Sequence, residues 1–335
     1  MIRRTARTLG AAAAAVALAG PAAAQDPVAP PAPAGDAEES TAPTEPAPTP
    51  KPKEKAEPKQ EPEEHREPSK AGIDFVLGFG KLGGGDALKF TSYSLLFGGD
   101  VRLGNFAAGL RLPVTSATTE TVAPPTNKQS QTALGNVELA GTLFFHPVKH
   151  LELPVELALV LPTAGGDPAG DEVKQRLWLV QQTAAASRGF EDNALFMPKH
   201  MGVVPRVGID YEHKGLALGV YEKFEFLFKA GALNSDTVEA KGVAVATITG
   251  VNASYEVLRR HLSVGLRAWA VYEIAEPYKS KVSAVEESKF QMVFEPQIAG
   301  RIGPVVPLIG FLLPAGGRLG DPGMKAVRIM AAVEF

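Results

Sequence analysis

Between Ala71 and Phe335 apolar residues recur at every second position in a dozen separate runs. In "LELPVELALVL", Leu151, Leu153, Val155, Leu157, Leu159 and Leu161 fall on one face, with Glu152 and Glu156 on the other. In "HLSVGLRAWAVYEI", Leu262, Val264, Leu266, Ala268, Ala270, Tyr272 and Ile274 oppose Arg267 and Glu273. The final run, "KAVRIMAAVEF", sets Val327, Ile329, Ala331, Val333 and Phe335 against Arg328 and Glu334. A two-residue period belongs to β-strands, whose side chains alternate between faces. It predicts strands at 72–82, 89–103, 106–114, 134–146, 151–161, 202–212, 215–228, 241–257, 262–274, 288–302, 305–313 and 325–335. Two places break the pattern. Glu222 falls on the apolar face of its strand, which points to a register shift or bulge, and "VVPLIGFLL" is apolar on both faces, which points to packing against something inside.

The links between runs alternate in length. Those after even-numbered strands are tight: "LGN", "PVKH", "HKG", "LRRH" and "GP". Those after odd-numbered strands are longer, among them "TSATTETVAPPTNKQSQTA" and the stretch of about 40 residues from Pro162 to Met201. Short turns on one side and long loops on the other fit a transmembrane barrel, and an even strand number returns both termini to one side. A soluble β-sandwich does not sort its loops by parity. The expected fold is therefore all-β: a single-chain antiparallel transmembrane barrel of about 12 strands spanning 71–335. Its apolar face meets lipid, and Phe, Tyr and Trp near the strand ends form an aromatic girdle. No window after residue 70 is apolar over the roughly 18 residues that a membrane helix needs.

The N-terminal part reads differently. Residues 1–24 carry Arg3, Arg4 and Arg7, then "LGAAAAAVALAG", then "PAAAQ", the layout of a secretory signal peptide cleaved after Ala24. Residues 25–70 hold twelve prolines, eleven acidic and six basic residues with almost nothing large and apolar, so a disordered periplasmic linker is expected. The chain has no cysteine, which excludes both a lipid-anchoring thiol and a disulfide scaffold.

An alternating last strand ending on an aromatic residue resembles the C-terminal signature of Gram-negative outer-membrane barrels, here Val327, Ile329, Ala331, Val333 and Phe335. That resemblance implies that Phe335 is an assembly signal read by the barrel assembly machinery. A second resemblance lies in "LGNVELAGTLFFHPVKHLELPVELALVLPTAGGDP", a Gly-Asn-Val strand, a short turn and a strand ending Leu-Pro-Thr before a Gly-Asp loop. It is similar to the barrel family linked to uptake of aromatic hydrocarbons in meta-cleavage pathways. The resemblance implies passage of hydrophobic substrates, although the long insert after it departs from that family's short loop.

Strand parity directs Asp100, Arg102, Arg111, Glu138, Glu152, Glu156, Arg206, Asp210, Lys223, Glu225, Arg267, Glu273, Glu295, Arg301, Arg328 and Glu334 into the lumen. Both signs are interspersed, whereas a ring of one sign would mark ion selectivity. Paired charges in a partly filled lumen and a selective pore both remain open. In the third long loop, "GDEVKQRLWLVQQTAAASRG" predicts a helix over about 171–187, started by Asp171 and ended by Gly189. Val173, Leu177, Val180 and Ala184 recur at helical spacing and need burial. Such a helix either constricts the barrel mouth, lies over its rim as a lid, or sits on the surface.

His146, His150, His213 and His261 fall at tight turns with Lys149, Lys214, Arg259 and Arg260, and His200 in the long loop. No acidic or thiol partners stand at ligand spacing, so a basic rim facing lipid phosphates or the acidic linker is expected, not a metal site. His261 and Ser263 resemble the His-x-Ser of outer-membrane lipid hydrolases. Ser263, however, points inward at the periplasmic end, away from lipid. No phosphate loop, metal motif or nucleic-acid module occurs, and no cofactor, enzymatic activity or nucleic-acid partner is expected. The expected function is passage of small molecules, hydrophobic ones included, across the outer membrane. A non-conducting structural or partner-binding barrel is the alternative, and a lipid hydrolase the third. Expected partners are outer-membrane lipid, the assembly machinery and, through 25–70, peptidoglycan or a periplasmic protein.

Overall fold

The computed structural model describes residues 68–82, 88–121, 128–168, 170–231, 238–259, 261–280, 288–320 and 323–335. The expected leader at 1–24, the linker up to residue 67, and Arg260 lie outside the described residues.

Strands β1 (Lys70–Leu82), β2 (Leu88–Leu103) and β3 (Phe106–Thr121) form the first antiparallel wall. β3 then pairs with two strands end to end, β4 (Lys128–Leu134) above and β5 (Val137–Val148) below. The wall continues through β6 (Leu151–Leu161), β7 (His200–His213) and β8 (Leu216–Lys229). The short strands β9 (Val238–Ala240) and β12 (Tyr278–Ser280) pair apart from it as a ribbon between two loops. β10 (Val243–Leu258), β11 (Leu262–Ala275), β13 (Phe290–Gly300), β14 (Val305–Gly316) and β15 (Lys325–Glu334) complete the circuit. β15 pairs back onto β1, with Lys70 opposite Glu334 and Val76 opposite Arg328. The result is a closed barrel of twelve positions, the fourth shared by β4 and β5, with no open sheet edge around its girth.

Burial is inverted relative to a soluble sheet. On β13, Ile298 is 55% exposed while Glu295 is 0%; on β15, Ile329 is 46% exposed while Arg328 is 8%. Apolar rows facing out and charges buried within are what a barrel wall in lipid requires. Leu312, from the run that is apolar on both faces, is buried inside against Val293 and Ala326. Glu222 stays on the outer face in regular register, opposite Val207 and Thr249, so no bulge accounts for it. Thr247 and Thr249 hydroxyls donate to its carboxylate instead.

Two expectations need correction. Residues 115–133 are not simply a loop, because β3 and β4 extend the wall upward as a hairpin. Apart from Ala117 and Ala133 it carries Thr, Ser and Gln on both faces, held by pairs such as Thr118 with Ser130 (Oγ1 to Oγ, 2.8 Å), so apolar alternation gave no sign of it. His200 does not lie in the loop; it opens β7 and is buried.

Candidate functional site: a plugged lumen

Twelve strands about 4.8 Å apart and tilted about 40° give a backbone radius of roughly 12 Å. Inward side chains reduce the bore to about the width of one helix, roughly 10 Å. The segment 162–199 between β6 and β7 folds back into that bore. Its helix α1 (Glu172–Ser187) starts at Asp171, whose Oδ1 accepts a hydrogen bond from the Lys174 N–H at 3.0 Å. This bond holds the Asp171 carboxyl below its ordinary pKa. The helix ends in a Schellman motif: the Gly189 and Phe190 N–H groups donate to the Ala186 and Ala185 carbonyls, both at 2.9 Å. Gly189 has φ 65°, and a side chain there would press on Trp269 and Val293.

Burial along α1 corrects the expected stripe. Val180 and Ala184 are buried and Leu177 packs against Ala117, Ala133 and Val180, but Val173 is 56% exposed. In the last turn Ala184, Ala185, Ala186 and Ser187 are all buried. A helix laid on a surface buries one side; one that enters a tube end-on is buried according to depth. Only small side chains fit all the way round, and the run "AAAS" supplies them. The wall matches it at Gly78, where any side chain would collide with Ser187, and at Ser92, whose hydroxyl bonds that of Ser187.

Two sets of polar contacts seat the plug. The first is the break between β4 and β5. There Asn136, fully buried, donates Nδ2 to the Ala194 and Met197 carbonyls and accepts the Ala164 N–H at Oδ1, all at 2.8 Å. Its own N–H donates to the Leu195 carbonyl at 2.7 Å. Thr163 Oγ1 donates to the Gly135 carbonyl at 2.8 Å, and Gln181 Nε2 to the Leu134 carbonyl at 2.8 Å. Backbone groups that the interrupted strand leaves open are thus satisfied by both ends of the plug. The second set lies under the helix, at Arg188–Asp192. Arg188 pairs with Asp74 on β1 and, at 3.0 Å, with Asp192. Arg328 reaches Asp74 at 2.6 Å and Glu295 at 3.4 Å. Glu191 takes Arg267 and the Tyr221 hydroxyl (2.7 Å), and Lys223 donates to its carbonyl. Trp269 Nε1 donates to the Gly189 carbonyl at 3.1 Å.

Below this charged floor an inner chamber of about 580 Å³ runs to the side of the tight turns, lined among others by Lys70, Asp100, Glu152, Glu156, Arg206 and Asp210. Arg102 pairs with Glu152, and Arg111 with Glu138, each at 3.0 Å. Lys223 pairs with Glu225 at 3.2 Å and Arg267 with Glu295 at 3.3 Å. Arg301 and Glu334 meet at the rim, 2.5 Å apart, and Glu273 is buried further out along β11. The anchors that parity alone did not single out are Asp74, Asn136, Arg188, Glu191 and Asp192. "RGFED" directly after a helix stop was the available signal for three of them. At the turns, His146 Nε2 lies 2.8 Å from Glu152 and the His150 and His213 rings meet edge-on at 4.6 Å. Among the described residues no hydrogen bond joins His261 to Ser263, and no group of three His, Asp or Glu could hold a metal ion.

No protein-family model and no curated protein sequence matches the chain. Solved structures do. The COG4313 outer membrane channel from Pseudomonas putida F1 superposes with a TM-score of 0.58 over 81% of this chain and 96% of that one, at 10% identity. The fold is that of an outer-membrane β-barrel. The transport unit of the autotransporter AIDA-I from Escherichia coli (TM-score 0.49, 16% identity, 82% and 92% covered) also matches this barrel. So does the NanC porin (0.45, 9%, 78% and 100%). At such identities the likeness is one of fold. The exposed apolar rows of this barrel form the belt that faces outer-membrane lipid.

Proposed function

We propose that this barrel is an outer-membrane channel for small molecules, closed by the segment 162–199 and opened when that plug is displaced. The observation that carries the reading is the polar seat of the plug, with a chamber of about 580 Å³ directly beneath it. Hydrogen bonds and ion pairs exchange readily with water, so a plug held by them can leave without unfolding the wall. A barrel that serves only as a wall needs neither a releasable plug nor a chamber. The channel function of the COG4313 neighbour agrees with this.

Passage of hydrophobic molecules, which the Gly-Asn-Val and Leu-Pro-Thr resemblance implies, is supported by the apolar collar around Ala186. Val76, Ile248, Trp269, Val271, Val293 and Leu312 would line the outer bore once the helix withdrew. On this reading Asp171, Val173, Leu177 and Val180 belong to the gate, and the inward charges set what the inner bore admits. Export through a cleaved leader at 1–24 delivers the chain to the outer membrane. Planar-bilayer conductance and liposome swelling test the reading, comparing the whole barrel with one lacking 171–187. A gain on deletion supports it. No conductance in either form would leave the non-conducting structural barrel, and phospholipid hydrolysis abolished by Ser263→Ala would favour the hydrolase.

A further inference from the structure

Most charged side chains around the inner chamber are committed: Arg111 to Glu138, Lys223 to Glu225, and Arg188, Arg267 and Arg328 to the plug and its neighbours. Two are not. Among the described residues Arg206 makes no ion pair and no side-chain hydrogen bond; its guanidinium lies over the Tyr221 ring, 4.3 Å from the centroid. Among the described residues Glu156 has no ion pair within 4.0 Å, Arg111 acting on it only from further off, and it accepts a single long hydrogen bond, 3.4 Å, from Thr142 Oγ1. Yet the two residues are directly opposite on β6 and β7, and both line the chamber. Opposed positions on neighbouring strands put their Cβ atoms roughly 5 Å apart. A cation and an anion at that spacing that do not bridge each other offer a donor fork and an acceptor to the same small guest.

We propose that the inner chamber binds small zwitterions, with Arg206 taking the carboxylate and Glu156 the ammonium group. The stack on Tyr221 keeps the guanidinium planar against the wall, its donors free for a bidentate carboxylate. Pro154, Ala140 and Val204 line the same chamber and suit a short aliphatic side chain. At about 580 Å³ the space is ordinary for a small-molecule site. Guests carrying only one of the two charges leave the other, half-buried wall residue unsatisfied, which is how a site built for two polar groups discriminates.

The inference deepens the channel reading by naming a solute class, but it concerns binding to the closed barrel. Failure of conduction therefore leaves it standing, and failure of binding leaves the channel reading standing. The test is calorimetric titration of the purified full chain in detergent with L-leucine, isovalerate and isopentylamine. L-Leucine binds saturably, and each single-charge analogue binds at least tenfold more weakly. Glu156→Gln weakens leucine about tenfold and brings isovalerate level with it; Arg206→Gln does the same for isopentylamine. Unchanged heat-modifiable migration shows that both variants are folded. Absence of saturable leucine binding, or equal affinities in wild type and both variants, overturns the proposal.

Discussion

Asn136→Ala should unseat the plug while leaving the barrel wall intact. The side chain makes three buried hydrogen bonds, all to backbone of the segment 162–199 and none to another strand. Each is worth about 0.5–1.5 kcal/mol net, and truncation also strands the Ala164 N–H and two carbonyls in a dry site, so a loss of about 3 kcal/mol is expected. Every 1.4 kcal/mol is a factor of ten, so the displaced-to-seated ratio rises roughly a hundredfold. A plug seated by about 5 kcal/mol would then go from displaced about 0.03% of the time to about 3–4%. Single-channel recording should register this as brief openings roughly a hundredfold rarer in the wild type. Trp269 gives a second readout: it is buried, with its indole N–H on the Gly189 carbonyl, and the other tryptophan, Trp178, can be replaced by Phe. In that background displacement exposes Trp269 and red-shifts its emission. Wild-type conductance and unshifted emission from a normally folded Asn136→Ala barrel would refute the idea that the β4–β5 break clamps the plug.

Gly78→Ala puts a methyl group into Ser187, an overpacking cost of about 1–3 kcal/mol that the wall cannot relieve, so channel openings increase and Ser187→Gly restores closure. Asp74→Asn leaves the guanidiniums of Arg188 and Arg328 facing each other without their shared carboxylate; loss of about 3–5 kcal/mol should give longer openings than Asn136→Ala, in recordings at any ordinary salt concentration because the site is buried. Glu222→Leu removes a carboxylate from the lipid face and should raise the unfolding free energy of the refolded barrel, read from urea titration, by about 1–2 kcal/mol; a lower value would mean that the Thr247 and Thr249 contacts outweigh the cost of a polar group there. Deleting Phe335, whose side chain is 69% exposed, should lower assembly in cells and leave refolding into detergent unchanged; equal losses in both would make it a packing residue instead of an assembly signal.

The wall was legible because lipid on one side and a polar interior on the other impose a period of two, and parity then fixes facing for Arg328, Glu295 and Arg267 alike. Where lipid is absent the code disappears: β4 and the upper half of β3 carry Thr, Ser and Gln on both faces, so nothing in their pattern distinguished strand from loop. The helix was legible from Asp171 and Gly189, its two ends, but not its destination. Val173 and Leu177 suggested a side to be buried, whereas the informative stretch was the small run Ala184–Ser187, whose meaning depends on a facing Gly78 more than a hundred residues away. Asn136 was visible only as part of a resemblance. Its three hydrogen-bonding groups are spent on a segment that no local pattern connects to it.

The mixture of signs inside the barrel takes a definite sense once the plug is in place. Asp74, Glu295, Arg267 and Arg328 come from four different strands and converge on one turn of one loop, Arg188–Asp192. These four wall charges therefore form a negative image of the turn they receive, while Arg102, Arg111 and Arg301 pair with carboxylates of the wall itself. A seat of this kind specifies geometry strongly, because each guanidinium has a fixed fork of donors to match. Water can take over these polar bonds when the plug leaves, while Ala194, Leu195, Phe196 and Met197 add apolar contacts beside them. An apolar seat would reverse both properties: it would tolerate many poses and hold each of them by its buried area. For the gate proposed above, a polar seat combines one specific closed pose with release into water, and it is consistent with an apolar collar around the helix and charges under its end.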